Sequence, residues 1–162
     1  MDDVDRILEQ WRAERPDLDV SPMGVVGRLS RAASAIETRL AQTFAQHGID
    51  APTFDVLATL ARQGPPYRAT PSTLAAEAMI TSSAVAQRLN RLVDLGFVTR
   101  APHPQDGRGK LVALTAAGKR TLDEVLPDHL TTEEEALAPL SAAERRTLAE
   151  LLGRLAENEL AP

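Results

Sequence analysis

Along residues 81–95 the apolar positions Val85, Leu89, Leu92 and Val93 recur at spacings of four, three and one, which marks one buried helix face. Ser82, Ser83, Gln87, Arg88 and Arg91 project from the other side. Thr81 offers a hydroxyl to a free first-turn N–H, and Gly96 suits the left-handed turn that ends a helix. Two β-prone runs come next, Phe97–Arg100 and Lys110–Leu114, joined by APHPQDGRG; two prolines and two glycines predict a hairpin tip there. Upstream, Val4, Ile7, Leu8 and Trp11 share one face of a short helix over 3–13, which Pro16 and Pro22 separate from the next helix. That long helix is expected from about Pro22 to Gln46, with Ser21 as its cap and Gly48 just past its end. Phe54, Leu57, Leu60 and Ala61 point inward from a helix over 52–63. Thr70 caps a short helix over 71–78, so 71–95 reads as a helix-turn-helix. Downstream, Thr115 caps a helix to about Leu126, Pro127 marks a kink, and a further segment reaches about Ala138. Ser141 and Glu144 form a capping box for the last helix.

These elements predict a mainly α fold with a small β-wing, the plan of a winged helix-turn-helix. A capped helix with a polar face fits a DNA major groove, and a basic-tipped hairpin reaches along the backbone. Leu148, Leu151, Leu152 and Leu155 make a stripe that a small winged domain does not cover, and the long helix has a similar surplus. The terminal helices are therefore expected to build an obligate-type helical interface of a two-fold dimer. The chain divides accordingly into N-terminal helices (1–50), a winged lobe (51–114) and C-terminal helices (115–162).

Net charge changes the picture only when it is divided. The total of −5 looks wrong for a nucleic-acid binder. Residues 78–120, however, carry seven basic and two acidic groups, while the flanking segments are acidic. The positive charge sits on the stretch that looks built to meet phosphate. With 162 residues and 3% aromatics, the core is aliphatic. The absence of cysteine excludes disulfides, thiolate metal sites and thiol nucleophiles. His47, His103 and His129 are dispersed, without metal-ligand spacing. No glycine loop cradles phosphate, and no catalytic constellation is legible. No run approaches a membrane span, and the N-terminus lacks a signal core, so the expected compartment is the cytosol. No cofactor or metal is expected.

The wing DGRGKLVALTAAGKR resembles the D-x-R…V-x-L-T-x-x-G signature of the MarR family of dimeric bacterial transcription regulators, with Asp106, Arg108, Leu114, Thr115 and Gly118 on it. In that family the arginine inserts into the minor groove and the aspartate helps hold it. Many members carry a second arginine directly after the first, where this chain has Gly109 and then Lys110. WRAERPDLDVSPMG is similar to the urate-responsive branch and its PecS-type relatives. That narrower resemblance implies a ligand quartet of Trp11, Asp55, Arg88 and Arg100. Two guanidiniums can bind a planar anion bidentately, an aspartate can accept a ring N–H, and a tryptophan can cover its face.

The expected function is that of a repressor on a pseudo-palindromic operator of double-stranded DNA, released by a small anionic ligand such as urate. Its candidate DNA contacts are Thr70, Ser72, Thr81, Ser82, Ser83, Gln87, Arg91, His103, Gln105, Asp106, Arg108 and Lys110. Two alternatives stay open: a regulator of the same type with no small ligand, Asp55 and Arg88 forming a structural ion pair, and a winged-helix module that binds protein.

Overall fold

The computed structural model describes residues 1–77, 82–103 and 106–159, and the backbone alone of 82–84, 103, 106–109, 158 and 159. The chain forms two compact units, Met1–Leu40 and Ala41–Pro162.

In the first unit, α1 (Asp3–Glu14) begins with a capping box in which Asp2 accepts the Asp5 N–H and Asp5 accepts that of Asp2. Two orphan donors are thereby satisfied at once. Val4 and Leu8 are buried with Val20, whereas Ile7 and Trp11 remain partly exposed. Helix α2 (Ser21–Gln46) starts one residue earlier than expected. Ser21 lies inside its first turn, and the Asp19 carboxylate accepts the Ser21 N–H at 2.9 Å. Gly24 and Gly27 let α1 approach closely: a Cβ at Gly24 would lie 3.1 Å from Leu8 Cδ1. Arg28 fastens the pair, donating to Asp2 at 2.8 Å and to Asp5 at 2.6 Å.

In the second unit, α3 (Ala51–Arg62), α4 (Pro71–Glu77) and α5 (Ser82–Asp94) pack around Phe54, Leu57, Leu60, Leu74, Val85, Leu89 and Leu92. Val93, expected on the buried face, is 39% exposed. Val85, Leu89 and Leu92 already fill the strip that α5 turns to the core, and Val93 falls beside it. Gly96 adopts φ +72°, as the helix end requires. The expected turn before α5 and its cap, Thr81, lie outside the described residues.

The sheet has three antiparallel strands in the order β1 (Arg68–Ala69), β3 (Asp106–Leu114), β2 (Val98–His103). The two wing strands extend further toward the tip than the β-prone runs suggest. Val98 pairs with Leu114 and Pro102 with Lys110, after which the register shifts so that His103 faces Asp106. Nothing in the hydropathy pattern announces β1, because two residues give no alternation to read.

Helix α6 (Ala116–Ala136) runs through Pro127 as one helix, where two segments divided near Leu126 were expected. Proline removes one backbone donor, but the residues after it are clamped from outside. Asp128 hydrogen-bonds His47 at 2.7 Å, and Thr132 hydrogen-bonds Thr43 at 2.7 Å. His129 lies against Phe44 and Phe54, whose ring centroids are 5.6 and 4.5 Å from its own. Helix α7 (Ala142–Glu159) carries the expected capping box, Ser141 N–H donating to Glu144 at 2.8 Å. Its stripe Leu148, Leu151, Leu152 and Leu155 lies open to solvent in the single chain. No helix among the described residues is long and apolar enough to cross a membrane.

Candidate nucleic-acid interface and ligand cleft

Three buried side chains, Val85, Leu89 and Leu92, fix α5 and leave Gln87 and Arg91 on its exposed side. These two sit four residues apart, one helical turn, so they project together. The backbone places Ser82 and Ser83 in the first turn of the same helix. At the wing, Lys110 is exposed on β3 opposite Pro102. The backbones of His103, Asp106 and Arg108 belong to the paired strands, while Thr81 and Gln105 fall outside the described residues. Thr70 is engaged as a cap: its hydroxyl accepts the Thr73 N–H at 3.1 Å and exchanges a 2.7 Å hydrogen bond with Ser72.

The base of the wing is joined to α6 by a tight backbone contact. The Thr115 hydroxyl donates to the Gly96 carbonyl at 2.7 Å and accepts the Gly118 N–H at 3.0 Å. A Cβ at Gly118 would lie 2.2 Å from the Phe97 carbonyl oxygen. The T-x-x-G spacing thus has a local cause: threonine caps the helix and clips the strand, and only glycine leaves room for the carbonyl.

The four candidate ligand residues are distributed between the two units. Trp11 belongs to the first, on α1, and is 42% exposed. In the second, Asp55 lies on α3, Arg88 on α5 and Arg100 exposed on β2. Arg88 is half-buried, and its Nη1 is fully covered with no hydrogen-bond partner. Burial pushes the Asp55 carboxyl above the usual carboxylate value, although the charges of Arg88, Arg62 and His129 pull it down. Asp55 therefore feels Arg88, yet among the described residues no ion pair within 4 Å joins them.

A cleft of about 240 Å³ opens between the start of α3 and α5, lined by Asp50, Pro52, Thr53, Gln87, Arg88 and Arg91. It takes Arg88 from the expected quartet and adds Asp50 and Thr53, which no motif in the sequence singles out. Asp50 caps α3, accepting the Thr53 N–H at 3.0 Å. Its other oxygen accepts from Arg91 Nη1 at 2.8 Å. An aspartate just before A-P-T-F is a legible cap signal, but a partner 41 residues away is not. Among the described residues, no group of three or more His, Asp or Glu side chains is placed to hold a metal ion.

The MarR family profile matches residues 47–109. The HTH-type transcriptional regulator PecS of Dickeya dadantii is 40% identical over 153 residues, which cover 94% of this chain and 92% of PecS. A MarR family transcriptional regulator from Streptomyces coelicolor, solved in complex with DNA, superposes with a TM-score of 0.81 at 27% identity, covering 90% of this chain and 94% of that one. BpsR of Bordetella bronchiseptica, described as regulated in its DNA binding by 6-hydroxynicotinic acid, superposes with a TM-score of 0.73 at 25% identity, covering 82% and 98%.

Proposed function

Because the chain belongs to the MarR family of transcriptional regulators, we propose that it is a cytoplasmic homodimer that binds a pseudo-palindromic operator as a repressor. It has no catalytic step of its own. The observation that carries this reading is the exposed Gln87 and Arg91 face of α5, beside a hairpin whose strand β3 carries Arg108 and Lys110. In this reading α5 enters the major groove, with Ser82, Ser83, Gln87 and Arg91 reading base edges. Arg108, with Asp106 beside it, enters the minor groove. Thr70, Ser72, Thr81, His103, Gln105 and Lys110 contact the phosphates. Residues 1–50 and 115–162 supply the dimer helices, covering the leucine stripe of α7.

The ligand is a small planar anion of the urate kind, held by Arg88 and Arg100, with Asp55 accepting from its ring. Two observations support this. Among the described residues Arg88 has a covered guanidinium nitrogen without a partner, and burial disfavours the charged form of Asp55. An anion that binds better to a DNA-incompetent arrangement shifts the population away from the operator. A structural Asp55–Arg88 ion pair has less support, since no direct pair joins the two among the described residues.

The test is a urate titration of the protein bound to its own upstream promoter, read by mobility shift and by fluorescence of Trp11, the one tryptophan of the chain. Release that is lost in Arg88→Ala and Asp55→Ala, both still folded and DNA-bound, supports the pocket. Promoter binding indifferent to urate rejects the ligand while leaving the regulator.

A further inference from the structure

Arg91 projects from the last turn of α5, on the side where the proposed function puts DNA. The free protein does not leave it available. Its Nη1 donates to Asp50 Oδ2 at 2.8 Å, while Asp50 Oδ1 caps α3 through the Thr53 N–H at 3.0 Å. A single carboxylate therefore ties the start of α3 to the recognition helix. Burial raises the Asp50 carboxyl, but the hydrogen bonds from Thr53 and the charge of Arg91 outweigh it and leave its pKa below the ordinary value. Asp50 is thus ionised at neutral pH and neutralises Arg91.

The pair is open to water, with Arg91 61% and Asp50 40% exposed. Exposed pairs of this kind shift an equilibrium by a factor of roughly two to five. This one is closed at rest and can be broken at small cost. When the pair opens, the freed carboxylate takes up a cation as the DNA gives one up, so the contact adds little net counterion release, and the carboxylate also repels the DNA backbone.

We infer that Asp50 is a latch on Arg91: it withholds the guanidinium from DNA, and the duplex must displace it to complete the contact. Asp50 thereby lowers duplex affinity and flattens its salt dependence, and favours operators on which the other contacts are good enough to open the pair. This rests on the reading in which α5 faces DNA.

The decisive variant is Asp50→Asn. Asparagine caps a helix about as well as aspartate, so α3 keeps its start while Arg91 loses its counter-charge. Binding to a duplex is measured by fluorescence anisotropy over a range of salt. The expected result is a roughly fivefold gain in affinity near 0.15 M salt and a log K against log salt slope steeper by about 0.9, the signature of one more uncompensated cation seated at the duplex. In an Arg91→Gln background the same change has no effect on the slope. Asp94→Asn removes a neighbouring charge without touching the pair and also leaves the slope alone.

An unchanged slope in Asp50→Asn with native circular dichroism overturns the inference. So does a gain that persists with Arg91→Gln or is matched by Asp94→Asn. Weaker binding by Asp50→Asn also overturns it, because Asp50 would then aim Arg91 at DNA rather than hold it back. Failure of the wild type to bind any duplex is separate: it removes the regulator reading and the inference with it.

Discussion

Gly118→Ala adds one methyl group where the start of α6 meets the start of β2. The new Cβ would stand 2.2 Å from the Phe97 carbonyl oxygen, 3.0 Å from its carbon and 3.2 Å from Leu114 Cδ2. An ordinary contact needs roughly 1 Å more, and two of the three opposing atoms are backbone. Overpacking of this kind costs about 1–3 kcal/mol. Moving Phe97 also strains the bonds its carbonyl accepts from Thr115, 3.0 Å from the backbone N–H and 3.1 Å from the hydroxyl. Each is worth about 0.5–1.5 kcal/mol net. Against this stands the better helix propensity of alanine, about 1 kcal/mol. The balance is a loss of about 1–5 kcal/mol, or a Tm lower by roughly 2–20 °C for a chain of this size. The assay is thermal and urea unfolding monitored by circular dichroism, at one protein concentration because an oligomer's stability depends on it. A Gly118→Ala protein within about 0.5 kcal/mol of wild type, or more stable, would refute the argument that the T-x-x-G glycine is kept for space.

The same geometry makes three further outcomes testable. Asp2 and Asp5 have pKa values held below 3.8, first by each other's backbone N–H and then by Arg28. Their contribution to α1 docking is therefore complete above about pH 4 and is lost as pH falls through their lowered values. Trp11 emission and helicity should change below pH 4, and at higher pH in Arg28→Ala; flat emission down to pH 2 would show that the clip does not hold α1. Asp55 shows the opposite sign. Its carboxyl is raised by burial, so ionising it weakens the fold as pH rises through that raised value. Asp55→Asn should cost less than about 1 kcal/mol at neutral pH, and a loss of several kcal/mol would restore the structural ion pair. Leu151→Arg and Leu155→Arg, on the open stripe of α7, should yield monomers by light scattering, and an unchanged dimer would place the interface elsewhere.

The order of elements was legible because local rules and the fold agree over most of the chain. Val85, Leu89 and Leu92 are spaced for a helix and buried, and Gly96 stands where a left-handed turn is needed. Legibility failed where distant residues decide. Pro127 announces a break, but clamps from His47, Thr43, Phe44 and Phe54 carry α6 across it. β1 exists because Arg68 and Ala69 find Ala113 and Val112 of a strand some forty residues away. At the candidate site, residue types on helix faces identified Gln87, Arg88 and Arg91. The Asp50–Arg91 pair escaped, since its logic lies in the approach of two helix ends rather than in any spacing.

The central claim is that α5 and the wing bind operator DNA through the basic segment. Its most direct test is the affinity of the wild-type protein and of Arg108→Ala for the upstream promoter, measured from low to moderate salt. Specific binding should weaken linearly in log–log form with salt. Arg108→Ala should lose at least tenfold in affinity and about 0.9 in slope, as removal of one DNA-seated cation requires. Salt-independent binding, or an Arg108→Ala protein indistinguishable from wild type, would contradict the account.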